Sequence, residues 1–329
     1  MERELDELVV VTGAGGFIGG WLVADLVAGG HRRVRAVDHK PFHAWHQHLP
    51  GTEAWRLDLR RPDACAEALR GAGIVYHLAA DMGGMGFIAN HKSACMLSAV
   101  IDAHLLEAAR DAGCRRFFYA STACVYPQNL QDDPDVHGLR EDDAYPADPE
   151  DGYGWQKLFG ERLCRHFRED FGLETRVARY HNVYGPHGTW RGGREKAPAA
   201  ICRKVAEAVQ SGRHEIEIWG DGRQTRSFTW IGDCIHGTRA IAESDESEPL
   251  NLGSDRLVSI DALVSQVEAI AGVTLERRYR LDAPRGVAGR NSDNDRIKSA
   301  LGWAPTTPLE VGLEPTYRWI ARQVEEATA

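Results

Sequence analysis

The sequence predicts an α/β fold, a doubly wound parallel sheet followed by a smaller substrate-binding domain. Three observations carry this. A valine-rich run, Leu8 to Thr12, leads through Gly13-Ala-Gly-Gly16-Phe17-Ile18-Gly19 into an apolar helical pattern at Trp21, Leu22 and Leu26. A second apolar run, Val34 to Val37, ends in Asp38, about 20 residues beyond the glycines. Short strand-like runs and longer helix-like segments then alternate, as βαβ units do.

Taken in order, the first strand, glycine turn and helix let backbone approach a pyrophosphate at a helix N-terminus. Glycine-rich turns also arise for steric reasons alone, so the acid at the end of the second strand matters. Asp38 is placed to bind the adenosine ribose hydroxyls, and its charge would repel a 2′-phosphate. The pattern therefore points to NAD rather than NADP, with His39 and Lys40 as the neighbours that could soften that preference. Further strands are expected at Ala54 to Leu57, at Gly73 to Leu78 and at Arg116 to Ala120. Their ends, Asp58-Leu59, Ala79-Ala80-Asp81 and Ser121-Thr122-Ala123-Cys124, should meet in one crevice, because ligands of open parallel sheets sit beyond the carboxyl ends of the strands. Asp58 suits a turn or helix cap equally well. Helices are expected over Phe17 to Ala28, Pro62 to Arg70, His91 to Ala112 and Asp151 to Phe171, with a strand at Glu174 to Tyr180.

Tyr153 and Lys157 stand four apart on the last of those helices and so share a face. An ordinary tyrosine, with a pKa of about 10, is roughly 0.1% ionised at neutral pH, and making it a base costs about 4 kcal/mol unless positive charge offsets that. Lys157 and a nicotinamide ring could supply such charge. The spacing alone is also that of ordinary surface neighbours, and it gains meaning from the glycine turn, Asp38 and the strand ends.

Beyond Asn182 the character changes. Gly185-Pro186, Gly192-Gly193 and Gly220-Asp221-Gly222 suggest loops and short elements. The domains are therefore drawn as 1–181 for NAD, with 229–256 returning to it, and 182–228 plus 257–329 for substrate.

At 329 residues the chain suits two domains. A net charge of −9 argues against nucleic acid as partner. No stretch is long and apolar enough to span a membrane, and the acidic start Met1 to Glu7 lacks the pattern of a secretory signal. The seven cysteines show no Cys-x-x-Cys pair and no zinc-like spacing. Reduced thiols, no metal and a cytoplasmic location are expected.

Several longer motifs carry a resemblance. The glycine turn, Ser-Thr-Ala-Cys-Val-Tyr126, Tyr153-x-x-x-Lys157 and Arg179-Tyr-His-Asn-Val-Tyr-Gly-Pro186 resemble the extended short-chain dehydrogenase/reductases that modify nucleotide sugars, which have the Rossmann fold. Within them the chain is similar to the GDP-mannose 3,5-epimerase family. The residues that say so are Ala79-Ala-Asp-Met-Gly-Gly-Met-Gly-Phe87, Gly188-Thr-Trp-Arg-Gly-Gly-Arg-Glu-Lys-Ala-Pro-Ala-Ala200, Trp219-Gly-Asp-Gly-Arg-Gln-Thr-Arg-Ser-Phe228 and Gly289-Arg-Asn-Ser-Asp-Asn294. The resemblance implies a tightly bound NAD, a GDP-hexose substrate and a transient ketone at C4, which acidifies the neighbouring C–H bonds at C3 and C5. Tyr153, Lys157 and Thr122 would then serve oxidation at C4, and Cys124 and Lys196 would be the acid/base pair that exchanges protons on carbon. Cofactor contacts fall on Gly13, Gly16, Phe17, Ile18, Gly19, Asp38, Asp58, Leu59, Leu78, Ala80, Tyr153 and Lys157. Substrate contacts fall on Gly83, Thr122, Ala123, Cys124, Asn182, Glu195, Lys196, Ala197, Lys204, Gln224, Arg226, Ser227 and Arg285.

Each assignment has a plain structural counterpart. Free cysteine is often just a small buried hydrophobe, and Lys196 could be a solvated loop charge. Met82-Gly-Gly-Met-Gly86 reads either as a loop closing over the sugar or as an ordinary loop. Two departures from the family stand out. Thr122 replaces the usual serine, and Pro284-Arg-Gly-Val-Ala-Gly-Arg290 replaces Gly-Val-Arg-Gly-Arg, so one diphosphate-binding arginine is displaced or lost, with Arg285 as the candidate substitute. A nucleotide-sugar dehydratase would carry Asp-Glu after Thr122 where this chain has Ala123-Cys124. A C5-only epimerase and a silent NAD-binding regulator compete with the 3,5-epimerase for the same motifs. Relatives also dimerise through the helices expected at 91–112 and 151–171, where Leu97, Ile101, Leu105 and Leu106 form an apolar stripe that would equally serve an intramolecular core.

Overall fold

The computed structural model describes residues 5–283 and 286–328. Strands β1 (Val9–Thr12), β2 (Val34–Asp38), β3 (Glu53–Arg56), β4 (Ile74–His77), β5 (Arg116–Thr122) and β6 (Glu174–Tyr180) are joined by a late strand to make seven. That strand is β10 (Leu250–Leu252), and the order is β10-β6-β5-β4-β1-β2-β3, parallel throughout. The β1, β2 and β5 segments are buried on both faces, which is why they read as near-continuous apolar runs rather than as alternations.

Helices cover both sides. They are α1 (Phe17–Ala28), α2 (Pro62–Ala68), α3 (Met85–Ile88), α4 (Lys92–Met96), α5 (Ser98–Asp111) and α6 (Asp151–Phe171). The helix expected over 91–112 is thus two pieces meeting at Leu97. Leu105 and Leu106 are fully buried in the core under β4 and β5, which assigns the inner half of the expected stripe to the core. The exposed large apolar residues on α4–α6 and the α4–α5 junction are Met96, Leu97, Val100, Trp155, Phe159 and, at the end of α6, Phe171.

The second layer is built from β7 (Asn182–Tyr184), α7 (Ala197–Ser211), β8 (Glu215–Trp219), β9 (Thr225–Trp230), β11 (Leu257–Ser259), α9 (Ile260–Ala271), β12 (Glu276–Arg280), β13 (Gly289–Arg290) and α11 (Leu309–Thr328). Strand β9 pairs with β7, β11 and β13, and β8 pairs with β12. This region holds more regular structure than its glycines suggest. Ile201, Cys202, Val205, Ala206 and Ala208 repeat at helical spacing on α7 and form one core with α9 and α11. Between these segments α8 (Ile231–Glu243) and α10 (Asp295–Leu301) return to the sheet, where Ile231, Ile235, Ile297 and Trp303 join its core.

Candidate active site

The glycine turn has the shape a dinucleotide needs. Gly13 lies at φ +72° with its α-carbon against the Leu78–Ala79 backbone, and a β-carbon at Gly19 would overlap the Gly13 carbonyl oxygen. Gly16 is the extended N-cap of α1, so Phe17 and Ile18 open the helix whose N-terminus faces the cleft. The buried Asp38 carboxylate accepts from Gly15 N and from Lys40 N, each at 3.0 Å, and so stands at the strand end beside the turn. Leu78 and Ala80 follow β4 on the other side. These residues fit NAD. Asp58 is engaged locally: it accepts from Arg60 Nη2 at 2.6 Å and from Arg60 N at 3.1 Å. The Arg60 contact brings its carboxyl down to about 2. Asp58 thus holds a local turn ahead of α2, and Leu59 packs into the core.

Helix α6 delivers Tyr153 and Lys157 to the same crevice. It can lie close because residue 154 is glycine: a β-carbon there would overlap the Cys124 carbonyl oxygen. Tyr153 and Lys157 are both buried. Burial, and next the neighbouring Cys124, raise the Tyr153 phenol, while its hydrogen bond with Thr122 opposes them. Burial lowers Lys157, against the pull of Asp102, and its Nζ lies 4.6 Å from the centre of the Tyr119 ring. Thr122 also accepts from Cys124 N at 3.3 Å, which winds the chain into a tight turn at the end of β5.

A cavity of about 260 Å³ opens in front of Tyr153 and brings together Gly83, Thr122, Ala123, Cys124, Asn182, Glu195, Lys196, Ala197, Lys204, Gln224 and Arg226. It shares Met85, Ile88, Glu150, Gln224 and Val287 with a wider groove of about 710 Å³. Lys157 lies behind Tyr153 and does not line the cavity. Ser227 also falls outside it: Gln224, Arg226 and Phe228 line the wall, and strand alternation turns Ser227 to the opposite face of β9. Arg285 lies outside the described residues. The Glu195 carboxylate serves the loop itself, accepting from Gly193 N at 2.7 Å and Arg203 Nη2 at 3.1 Å. Lys204 donates to the Glu217 carbonyl at 2.7 Å. Arg226 donates to the carbonyls of Thr225 and Val287 at 2.7 and 2.6 Å, tying β9 to the loop before β13. Burial, with Arg290 next to it, brings Arg226 down to about 10.

The loop after β4 is tied down rather than free-standing. Gly84 N donates to the Arg194 carbonyl at 2.8 Å, and Arg194 Nη1 donates to Asp81 Oδ1 at 2.7 Å. The Arg194 guanidinium also covers the Phe87 ring at 3.5 Å. The two loops that roof the cavity therefore hold each other.

Two residues at the site were not foreseen. Arg290 donates from Nη1 to Cys124 Sγ at 3.4 Å, from Nη2 to Glu150 Oε2 at 2.7 Å and from Nε to Gln131 Oε1 at 2.5 Å. Arg290 and Glu150 side chains are each 8% exposed, so this is a buried, fully bonded pair beside the thiol. Burial and Glu150 raise the Cys124 thiol, and Arg290 restrains the rise. Burial would raise Glu150 too, but Arg290 holds it below the ordinary range. The signal was present in the Gly289-Arg290 motif, although nothing local to it pointed to Cys124. Lys196 sits at the N-cap of α7, half-buried; burial lowers its ammonium, in keeping with a cation placed at the positive end of a helix. Burial thus favours the neutral thiol of Cys124 and the neutral amine of Lys196.

Fold and site define an NAD-dependent enzyme of the short-chain dehydrogenase/reductase kind, with a chamber equipped for acid/base chemistry. The chain belongs to the NAD dependent epimerase/dehydratase family, which matches residues 9–253. It is similar to GDP-mannose 3,5-epimerase 1 of Oryza sativa subsp. japonica, 47% identical over 97% of this chain and 82% of that protein. The GDP-mannose 3,5-epimerase of Arabidopsis thaliana is 45% identical over 98% of this chain and 84% of its own length. Among solved structures, a UDP-glucuronic acid 4-epimerase from Bacillus cereus in complex with UDP-glucuronic acid and NAD superposes with a TM-score of 0.82. It is 27% identical, over 96% of this chain and 99% of that one.

Proposed function

We propose that the protein epimerises GDP-D-mannose at C3 and C5, giving GDP-L-galactose, GDP-L-gulose or both. The observation that carries this reading is the meeting of Cys124 and Lys196 with Tyr153 and Thr122 in one cavity. When bound, NAD supplies the hydride acceptor and donor at C4. Thr122 orients the C4 hydroxyl, and Tyr153, with the Lys157 charge behind it, takes the hydroxyl proton and later returns it. Once C4 is a ketone, the protons on C3 and C5 become acidic enough for a side chain to remove. Cys124 and Lys196 reach the chamber from different elements, the β5 turn and the start of α7, as an exchange of configuration requires one group to take a proton and another to give one. Burial lowers Lys196, which favours a neutral amine able to take a proton, and raises Cys124, which favours a thiol able to give one. Arg226 is the candidate for the diphosphate.

A dehydratase would need a carboxylic acid poised at the sugar. Glu150 lines the cavity, but Arg290 keeps it ionised and occupied, which favours the epimerase. The exposed Leu97 at the α4–α5 junction, Val100 on α5, and Trp155 and Phe159 on α6 support a homodimer formed through these helices. Every cysteine is an unpaired, buried thiol, which suits the cytoplasm.

Incubation with GDP-mannose in deuterated water tests the reading. Deuterium at C3 and C5 is expected; deuterium at C5 alone would assign the L-gulose reaction, and no incorporation with any GDP-hexose would refute the proposal. With Cys124→Ser, hydride transfer at C4 should persist while solvent exchange collapses by about 10² or more; undiminished exchange would remove Cys124 from the chemistry.

A further inference from the structure

Behind Tyr153 and Lys157 runs a buried hydrogen-bonded chain that none of the site residues above accounts for. It begins at the cofactor side. Leu78 N and Ala79 N both donate to Thr12 Oγ1 at 3.3 Å, and that hydroxyl lies 2.9 Å from His77 Nδ1. An oxygen already accepting two N–H groups gives its own hydrogen to the ring, so Nδ1 is the acceptor and His77 is the neutral Nε2–H tautomer. Burial, lowering the imidazole, acts in the same direction.

His77 Nε2 then donates to Asp102 Oδ1 at 2.9 Å. Tyr119 Oη and Gln156 Nε2 donate to Asp102 Oδ2 at 2.8 and 2.5 Å. Asp102 has no exposure, and all three of these donors are neutral. Its carboxylate is well bonded but not charge-compensated by them, and a buried charge calls for an opposite one. The groups facing Lys157 are Asp102 from α5, His77 from β4, Tyr119 from β5, and Tyr153, Glu161 and Cys164 from its own helix. Glu161 is committed elsewhere, to Arg179 in a two-pronged pair at 2.9 and 2.7 Å and to Ser121. Cys164 is buried, and burial raises its thiol, so it carries no charge. Lys157 remains, with its Nζ over the face of the very ring whose hydroxyl donates to Asp102. Gly160 lets α6 sit on this assembly: a β-carbon there would overlap the Tyr119 hydroxyl.

We infer that Asp102 is the positioning residue and counter-charge for Lys157, acting through the Tyr119 ring and held by His77, so that Lys157 stays a cation beside Tyr153. This rests on the reading of Lys157 as the charge that assists Tyr153. Donation from its hydroxyl to a carboxylate enriches the Tyr119 ring in electron density, which strengthens the cation–π contact. Loss of the carboxylate charge should lower the midpoints of Lys157 and Tyr153 together. The bell-shaped pH–rate profile would then move bodily to lower pH, where a purely structural defect would only reduce its height.

The chain has six lysines, so a 13Cε-lysine spectrum of the full-length protein is simple enough to titrate, with Lys157→Arg identifying the resonance. In Asp102→Asn the Lys157 midpoint should fall by about one pH unit, and in Tyr119→Phe, which keeps the ring, by less. An unmoved midpoint in folded Asp102→Asn overturns the inference. Should that variant fail to fold, an unmoved midpoint in Tyr119→Phe does the same. No sugar substrate enters this measurement, so its outcome is independent of whether GDP-mannose is the substrate.

Discussion

Replacing Arg290 with glutamine tests the electrostatics of the chamber most directly. The guanidinium joins Cys124 at 3.4 Å, Glu150 at 2.7 Å and Gln131 at 2.5 Å in a place nearly closed to solvent. Removing one member of such a pair strands the other, at about 3–5 kcal/mol. The loss should depend on pH. In the native protein the carboxyl of Glu150 is held below its unfolded value, so the pair contributes above about pH 4.3 and its contribution fades as pH falls through the depressed folded value. Without Arg290, burial is the dominant influence and raises Glu150 above its unfolded value. The stability of the variant then falls as pH rises, and its deficit is widest at neutral and alkaline pH. Urea unfolding at about pH 4 and pH 8 compares a pH below the unfolded value with one well above it. Glu150→Gln added to the variant should restore much of the loss, because no charge is then stranded. The thiol should also react more slowly with iodoacetamide, having lost the cation that favours its thiolate. A deficit below about 1 kcal/mol at both pH values, the scale of an exposed pair, or one that does not change with pH, would refute the reasoning.

Gly154→Ala places a methyl group against the Cys124 carbonyl and must push the β5 turn and α6 apart; since a displacement of about 1 Å can cost 10²-fold, turnover should fall by about that factor while NAD, read by absorbance of the purified protein, stays bound. Leu97→Glu with Phe159→Glu puts charge on two exposed apolar residues; light scattering should report a dimer for the native chain and a monomer for the variant, and a native monomer would remove the proposed interface.

Local chemistry was the legible part. The β1 turn, α1 and Asp38 lie within one short stretch, and glycine φ preference, strand pattern and spacing each point to the same element. The i,i+4 relation of Tyr153 and Lys157 needed only that α6 be helical. Arg290 was out of reach for the opposite reason: 166 residues separate it from Cys124, and only the pairing of β13 with β9 brings it there. His77 and Asp102 were hidden because a histidine at a strand end and an aspartate in a helix look like surface residues until both prove to be buried. Ser227 was grouped with Arg226 because a motif read as a string assigns neighbours the same role, while a strand turns them to opposite faces. Leu105 and Leu106 show the matching ambiguity of an apolar stripe, which does not say whether its partner is the same chain or another.

Strand β10 occupies an outer position in the main sheet yet is supplied from beyond β9, after the chain has built part of the second layer. A fragment ending at residue 181 would therefore leave β6 as a bare edge, with the backbone at Ala178–Tyr180 unpaired in a strand that is buried in the whole chain. Such an edge invites strand addition from other molecules. The nucleotide-binding half should precipitate when expressed alone, and the wall that carries Thr122 and Tyr153 is finished only when the chain returns from making the wall opposite.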